Sequence, residues 1–332
     1  MHMADALVTP VVAGTMYVAS TAAAGVSIHK VRLEDNQKKI PLMGVMGAFV
    51  FAAQMINFTI PGTGSSGHLC GGMMLSALLG PWAGFLSMIG VLLIQCLFFA
   101  DGGLLALGCN VWNMAFYGCF VGALLIWRPM MKNGASRLKI ILASIIGCVL
   151  TLQLGAFSVV LETQLSGITE LPFGVFFAAM QPIHLAIGLV EGLITAAVLL
   201  FVYEARPELL WGVNETKQSR MSLGATLGVL GGIALVVGGG LSLLASSLPD
   251  GLEWAIGKVA GVEELEVAEK AIYAASEKVQ GTLSFLPDYA FKGSESAWGT
   301  TVSGIVGAVI VLLVLVGAAL LFRFFRHRQK KA

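Results

Sequence analysis

Apolar stretches long enough to cross a bilayer recur from one end of this chain to the other, and no other feature narrows its fold as far. A helical crossing needs about 20 mostly apolar residues. Irregular backbone is tolerated at that depth only where protein or a wet cavity surrounds it. Apolar segments occupy residues 7–28, 41–57, 69–79, 83–99, 104–127, 138–161, 173–203, 223–247 and 301–322. The 332 residues have a mean hydropathy of +0.84, and 12% are charged. Soluble domains carry roughly twice that charge, so this chain lacks the skin it would need in water. The fold class that follows is all-α, a polytopic membrane helical bundle.

The basic residues set the expected topology. Lys30, Arg32, Lys38 and Lys39 follow the first segment, and Arg128, Lys132, Arg137 and Lys139 the fifth. Arg206, Lys217 and Arg220 follow the seventh, and Arg323, Arg326, Arg328, Lys330 and Lys331 end the chain. Cytoplasmic loops carry the excess of Lys and Arg. All four clusters share one side only if the short third segment counts as a crossing. The expectation is therefore seven spans plus a two-span C-terminal hairpin in the inner membrane, with the N-terminus outside and the C-terminus cytoplasmic. No basic n-region or A-x-A cleavage site marks a signal peptide. The bulky residue after Met1 also disfavours its removal, so Met1 is expected to be the N-terminus. Ile60-Pro-Gly-Thr-Gly-Ser-Ser-Gly-His68 is expected to dip into the membrane as irregular backbone, and Gly80-Pro81 to turn tightly. Three parts are delimited: residues 1–206, a cytoplasmic linker at 207–221, and 222–332. The last part has an outside segment at 248–299, in which an amphipathic helix over 259–280 would bury Val262, Leu265, Val267, Ala268, Ile272 and Ala275.

Binding chemistry concentrates at the start. Met1 offers an amine, and His2 offers a backbone amide and an imidazole Nδ1. These three nitrogens close fused five- and six-membered chelate rings in one plane. A fourth nitrogen completes a square, the geometry that suits nickel(II) or copper(II), whereas zinc prefers a tetrahedron. His68, after the run Gly62-Thr63-Gly64-Ser65-Ser66-Gly67, is the candidate fourth donor. On residue type alone, His2 also reads as a solvated terminal residue. Polar groups inside spans include Asn57, His184 and Glu191. They read either as a second shell or ion pathway, or as interhelical hydrogen-bonding glue. His184 and Glu191 lie seven apart and share a helix face.

Other residues carry weaker signals. Cys70, Cys96, Cys109, Cys119 and Cys148 form no CxxC pair and read as buried hydrophobes. Met3, Met46, Met55, Met73 and Met74 read as core rather than copper ligands. Asp101, before Gly102-Gly103, reads as a turn residue. The small residues between Ala13 and Gly25 allow close helix approach, by a partner or within the fold. No GxxxxGK[ST] sequence is present, so the chain is not expected to be an ATPase or other enzyme.

Several motifs in order resemble a known family: Met1-His2, Pro41-Leu-Met-Gly44, Phe51-Ala-Ala-Gln-Met-Ile-Asn57, Ser66-Gly-His-Leu69, Leu79-Gly-Pro-Trp82, Asp101-Gly-Gly-Leu-Leu-Ala-Leu-Gly108, Asn110-Val-Trp-Asn-Met114 and Gly192-Leu-Ile-Thr195. Residues 1–206 look like the NikM/CbiM substrate-binding components of energy-coupling factor transporters. The remainder resembles the small NikN/CbiN component through Pro249-Asp-Gly-Leu-Glu253. The resemblance implies uptake of Ni2+ or Co2+ as transported substrate, with no organic cofactor. It implies metal held by Met1, His2 and His68, and partners comprising a transmembrane coupling subunit and cytoplasmic ATPases. No nucleic acid is implied. Many members begin Met-His-Ile-Pro-Asp-Gly, whereas this chain begins Met-His-Met-Ala-Asp-Ala. The donors survive that change. The alternatives are a self-sufficient channel or secondary transporter, or a membrane redox subunit. The last would want paired histidines at matching depth, which the spans do not offer.

Overall fold

The computed structural model describes residues 1–31, 38–214, 218–263, 265–266, 271–294, 296 and 298–329. Arg32, Lys217, Lys330, Lys331, Val267 and Ala268 lie outside the described residues. Helices dominate: α1 Pro10–Lys30, α2 Lys39–Gln54, α3 Gly72–Leu79, α4 Pro81–Phe99 and α5 Leu107–Met131. Then come α6 Arg137–Ser166, α7 Phe173–Ala205, α8 Leu223–Gly239, α9 Gly251–Ala260, α10 Ala271–Leu283 and α11 Trp298–Gln329. Among the described residues, six (α1, α4, α5, α6, α7 and α11) are long and apolar enough to cross a membrane. α2 and α8 are shorter apolar helices.

Local chemistry explains the boundaries. Pro10 opens α1, where its missing N–H costs nothing, and the Thr9 hydroxyl accepts from Val12 N at 3.5 Å. Ser136 and Ser222 cap α6 and α8 in the same way. Gly80, at φ +83°, turns the chain between α3 and α4, and Pro81 starts the next helix. Trp211 N donates to Ala77 O at 2.7 Å, which seats the linker under that turn. α8 and α11 pack on α2 and on each other. Small residues let them approach: a Cβ on Gly47 would lie 2.2 Å from Leu315 Cδ1, and one on Gly304 would lie 2.0 Å from Gly238 O. In a bilayer, close backbone packing of this kind is a main source of helix association.

Two expectations need correction. The run after Asn57 is not irregular: strands β1 Phe58–Ile60 and β2 Ser65–Gly67 pair antiparallel, Thr59 opposite Ser66. The pairing satisfies backbone polar groups where Ser65, Ser66 and Gly67 are buried, and leaving them unpaired there is costly. Nor does one helix span 259–280. α9 ends at Gly261, whose φ of +77° is a left-handed helix stop, and α10 begins ten residues later. α10 buries Tyr273 and Ser276, while Ile272 and Ala275 are exposed.

Candidate metal-binding site

The N-terminal arm precedes α1 and is threaded into the protein. Met3 is fully buried, and Asn110 of α5 grips its backbone from both sides. Met3 N donates to Asn110 Oδ1 at 2.7 Å, and Asn110 Nδ2 donates to Met3 O at 3.1 Å. Gly103 N adds a bond to Met3 O at 2.9 Å. Asp5 Oδ1 accepts from Ala106 N, and its Oδ2 accepts from Ser276 Oγ of α10. These bonds fix where the first two residues go.

Met1 is 4% exposed. Its amine lies 2.8 Å from His68 Nε2 and donates to Asp250 Oδ2 at 2.5 Å. His68 Nδ1 lies 2.9 Å from Leu69 O. A carbonyl can only accept, so Nδ1 carries the hydrogen and Nε2 presents its lone pair to the amine. Asp250 is oriented as well. Its Oδ1 accepts from Leu252 N and Glu253 N, while Glu253 Oε2 accepts from Asp250 N, a capping box on α9. Burial works against the charged amine, but the Asp250 carboxylate outweighs it and raises the Met1 pKa above its ordinary 8.0. Burial likewise opposes the Asp250 charge, yet the amine and His68 hold that carboxyl well below its ordinary range.

His2 stacks on His68, ring centroids 5.2 Å apart and 19° from parallel. Its Nδ1 does not face the Met1–His68 pair but donates to Asp101 Oδ1 at 3.0 Å. Burial first, then the Met1 amine and His68, push its pKa down to about 4 against the pull of Asp101. The ring is therefore neutral at pH 7, and its buried Nε2 has no partner. Asp101 is more than a turn residue. It also accepts from the Tyr289 hydroxyl at 2.5 Å, which ties the loop after α4 to the C-terminal part.

The remaining sequence candidates divide. His184 of α7 gives its Nδ1 hydrogen to Met180 O at 2.8 Å, leaving Nε2 buried and unpartnered. It lines a small cavity of about 10 Å3 together with Met1, His68, Cys70 and Asp250. Glu191 accepts from Cys70 N at 3.0 Å and from Gly71 N at 2.9 Å. It thereby anchors the backbone just after His68, at the start of α3. Asn57 stands apart: its carbonyl accepts from Ser246 N at 2.7 Å, and it lies on the wall of a larger cleft. That cleft, about 580 Å3, is lined by His2, His68 and Asp250 among others. Its carboxylates are Asp5, Asp101, Asp250, Glu253, Glu263, Glu277 and Asp288, and among the described residues no Lys or Arg lines it.

Among the described residues, no three His, Cys, Asp or Glu side chains are placed to hold an ion. A metal site built on these described side chains would need main-chain nitrogen as well. Sequence reasoning missed Asp250, which meets Met1 across 249 positions. The available signal was Asp250 followed three residues later by Glu253, a capping-box pattern.

Comparison with known proteins adds a family to this geometry. Residues 2–209 match the family described as "Cobalt uptake substrate-specific transmembrane region" (CbiM), and residues 224–324 match the PDGLE domain. The chain is 36% identical over 314 residues to a putative fused nickel transport protein NikMN of Archaeoglobus fulgidus, covering 94% of this chain and 96% of that one. It is 29% identical over 333 residues to a probable fused nickel transport protein LarMN of Lactiplantibacillus plantarum, covering 96% and 97%. A crystal structure of a truncated transition metal transporter superposes with a TM-score of 0.54 at 33% identity, covering 61% of this chain and 99% of that chain.

Proposed function

The chain belongs to the CbiM family of cobalt uptake transmembrane regions, with a PDGLE domain fused behind it, and on that premise we propose that it is the metal-capturing subunit of an ATP-driven importer for nickel(II) or cobalt(II). In this reading seven spans and a two-span hairpin lie in the inner membrane, with the N-terminus outside and the C-terminus cytoplasmic. A transmembrane coupling subunit and cytoplasmic ATPases supply the work. The domain limits are residues 1–206 and 222–332, joined by the linker 207–221.

The observation that carries the reading is the 2.8 Å separation of Met1 N and His68 Nε2. At a metal–nitrogen length of about 2.0 Å, adjacent corners of a square lie about 2.8 Å apart. Two donors therefore already stand at the spacing of one edge. The ion displaces one proton from the Met1 ammonium and one from the His2 amide, and both leave to outside water. His2 Nδ1 turns from Asp101 to complete the chelate, opposite the edge that His68 closes. Four nitrogens in a plane favour nickel. Buried between protein walls, such a set gains little from water and much from fixed position, because outer contacts hold the donors.

Release inward needs further donors. His184 lines the same cavity with its Nε2 buried and unpartnered, and Cys70, Met73, Asn113 and Glu191 cluster beside it in the packed interior. We assign His184 to the inward path and Glu191 to holding the His68 segment. Asn57 belongs to the outer wall. The test is calorimetric binding of nickel and cobalt to the purified chain, beside His2→Ala and His68→Ala. Loss of about 100-fold or more in affinity in each is expected, since ligand removal exceeds the 10- to 100-fold effect of outer-contact changes. Unchanged affinity in both variants overturns the assignment.

A further inference from the structure

The larger cleft is built by two parts of the chain, and the PDGLE part supplies most of its charge. Five of its seven carboxylates, Asp250, Glu253, Glu263, Glu277 and Asp288, come from that part, and of these Asp250 is offset by the Met1 amine. The described lysines of the same segment are turned elsewhere. Lys258 lies over the Trp254 ring at 5.6 Å, and Lys292 donates to Gly281 O. α10 repeats the sorting on one helix: Tyr273, Glu277 and Gln280 line the cleft, whereas Lys278 does not. His2 also lines it, its side chain 9% exposed and its Nε2 buried without a partner. A cleft of one sign with low-dielectric walls focuses its field, which raises the local concentration of an opposite ion and its on-rate by roughly 10- to 1,000-fold. A dication feels that field twice as strongly as a monovalent ion.

We propose that the cleft is an electrostatic entrance for hydrated divalent cations, and that the PDGLE part serves capture by setting the rate at which metal reaches the nitrogen site. This rests on the metal-capture reading above. Three of the cleft's carboxylates, Glu263, Glu277 and Asp288, are not among the donors; they act by charge alone and need no contact with the bound ion. Their effect therefore falls on association, while dissociation is left to the nitrogens.

The experiment is stopped-flow nickel binding to the purified full chain in detergent, beside the triple variant Glu263→Gln, Glu277→Gln, Asp288→Asn. Asn tolerates the positive φ of Asp288 (50°) as Asp does. The expected result at low salt is an association rate down by about tenfold, with dissociation changed by less than about twofold. The parent rate should also fall steeply as salt rises from about 10 mM to about 150 mM, where the screening length shrinks from about 30 Å to about 8 Å. Equal association rates in parent and variant overturn the proposal, as does a parent rate indifferent to salt. The His2→Ala chain separates the two readings: binding lost there, with the association rate unchanged in the triple variant, sinks the entrance and spares the site. Binding unchanged in His2→Ala sinks the site, and the entrance with it.

Discussion

Placing one alanine before Met1 is the sharpest perturbation of the proposed site. It alters no side chain chemically and converts the Met1 amine into an amide. The amine stands 2.5 Å from Asp250 Oδ2 and 2.8 Å from His68 Nε2, beside a cavity of about 10 Å3, room for one water. No added residue fits there, so the arm must withdraw from Asp250 and His68. Closed four-ligand sites bind zinc with roughly 10–16 kcal/mol. Losing the amine alone, one donor of four, costs roughly 2.5–4 kcal/mol, or about 70- to 900-fold in affinity, the least that withdrawal of the arm should cost. Equilibrium binding of radionickel to the purified parent and extended chains reads this directly, with thermal melting to show that both fold. An extended chain that binds within about threefold of the parent, a difference below about 0.7 kcal/mol, refutes the role given to the amine.

Three further outcomes are expected. Because the Met1 pKa is raised above 8.0, its proton competes with metal across neutral pH. Affinity should therefore rise as pH rises, by up to about 100-fold per unit with two protons displaced. The His2 ring, pushed down to about 4, adds no competition above about pH 5, and calorimetry at three pH values that shows no trend contradicts the scheme. Glu191→Leu strands the buried N–H groups of Cys70 and Gly71 at about 1–3 kcal/mol each, so the melting temperature should fall markedly. Glu191→Gln, which keeps one acceptor, should lose about half as much, and equal melting of all three chains refutes the anchoring role. His184→Ala should leave nickel affinity within about threefold of the parent while abolishing uptake in vesicles that hold the whole transporter. Normal uptake removes His184 from the path.

The proposed donors at Met1 and His2 were legible because their chemistry is local: an amine, an amide and an imidazole follow from any chain that begins Met-His. That His68 meets Met1 needed only the Gly-rich run before it. Asp250 and Asp101 were not legible as site residues, because each works through a partner distant in sequence, Met1 and His2 respectively. A helix cap and a turn look the same in sequence whether or not a ligand stands beside them. The apolar periods located the helices, since lipid-facing and core-facing residues are both apolar in this class. They misplaced the break in the 248–299 segment, where Gly261 at positive φ ends α9. They also missed the β1–β2 pair, which the backbone carbonyls of Leu248 and Pro249 support through Ser66.

The most direct test of metal capture is a crystal structure of the metal-loaded chain, with anomalous scattering recorded at the nickel and cobalt absorption edges. The expected result is a single ion bound in one plane by Met1 N, His2 N, His2 Nδ1 and His68 Nε2, at about 2.0 Å from each, with His2 released from Asp101. An ion found elsewhere, or one held while His2 Nδ1 still donates to Asp101, contradicts the account.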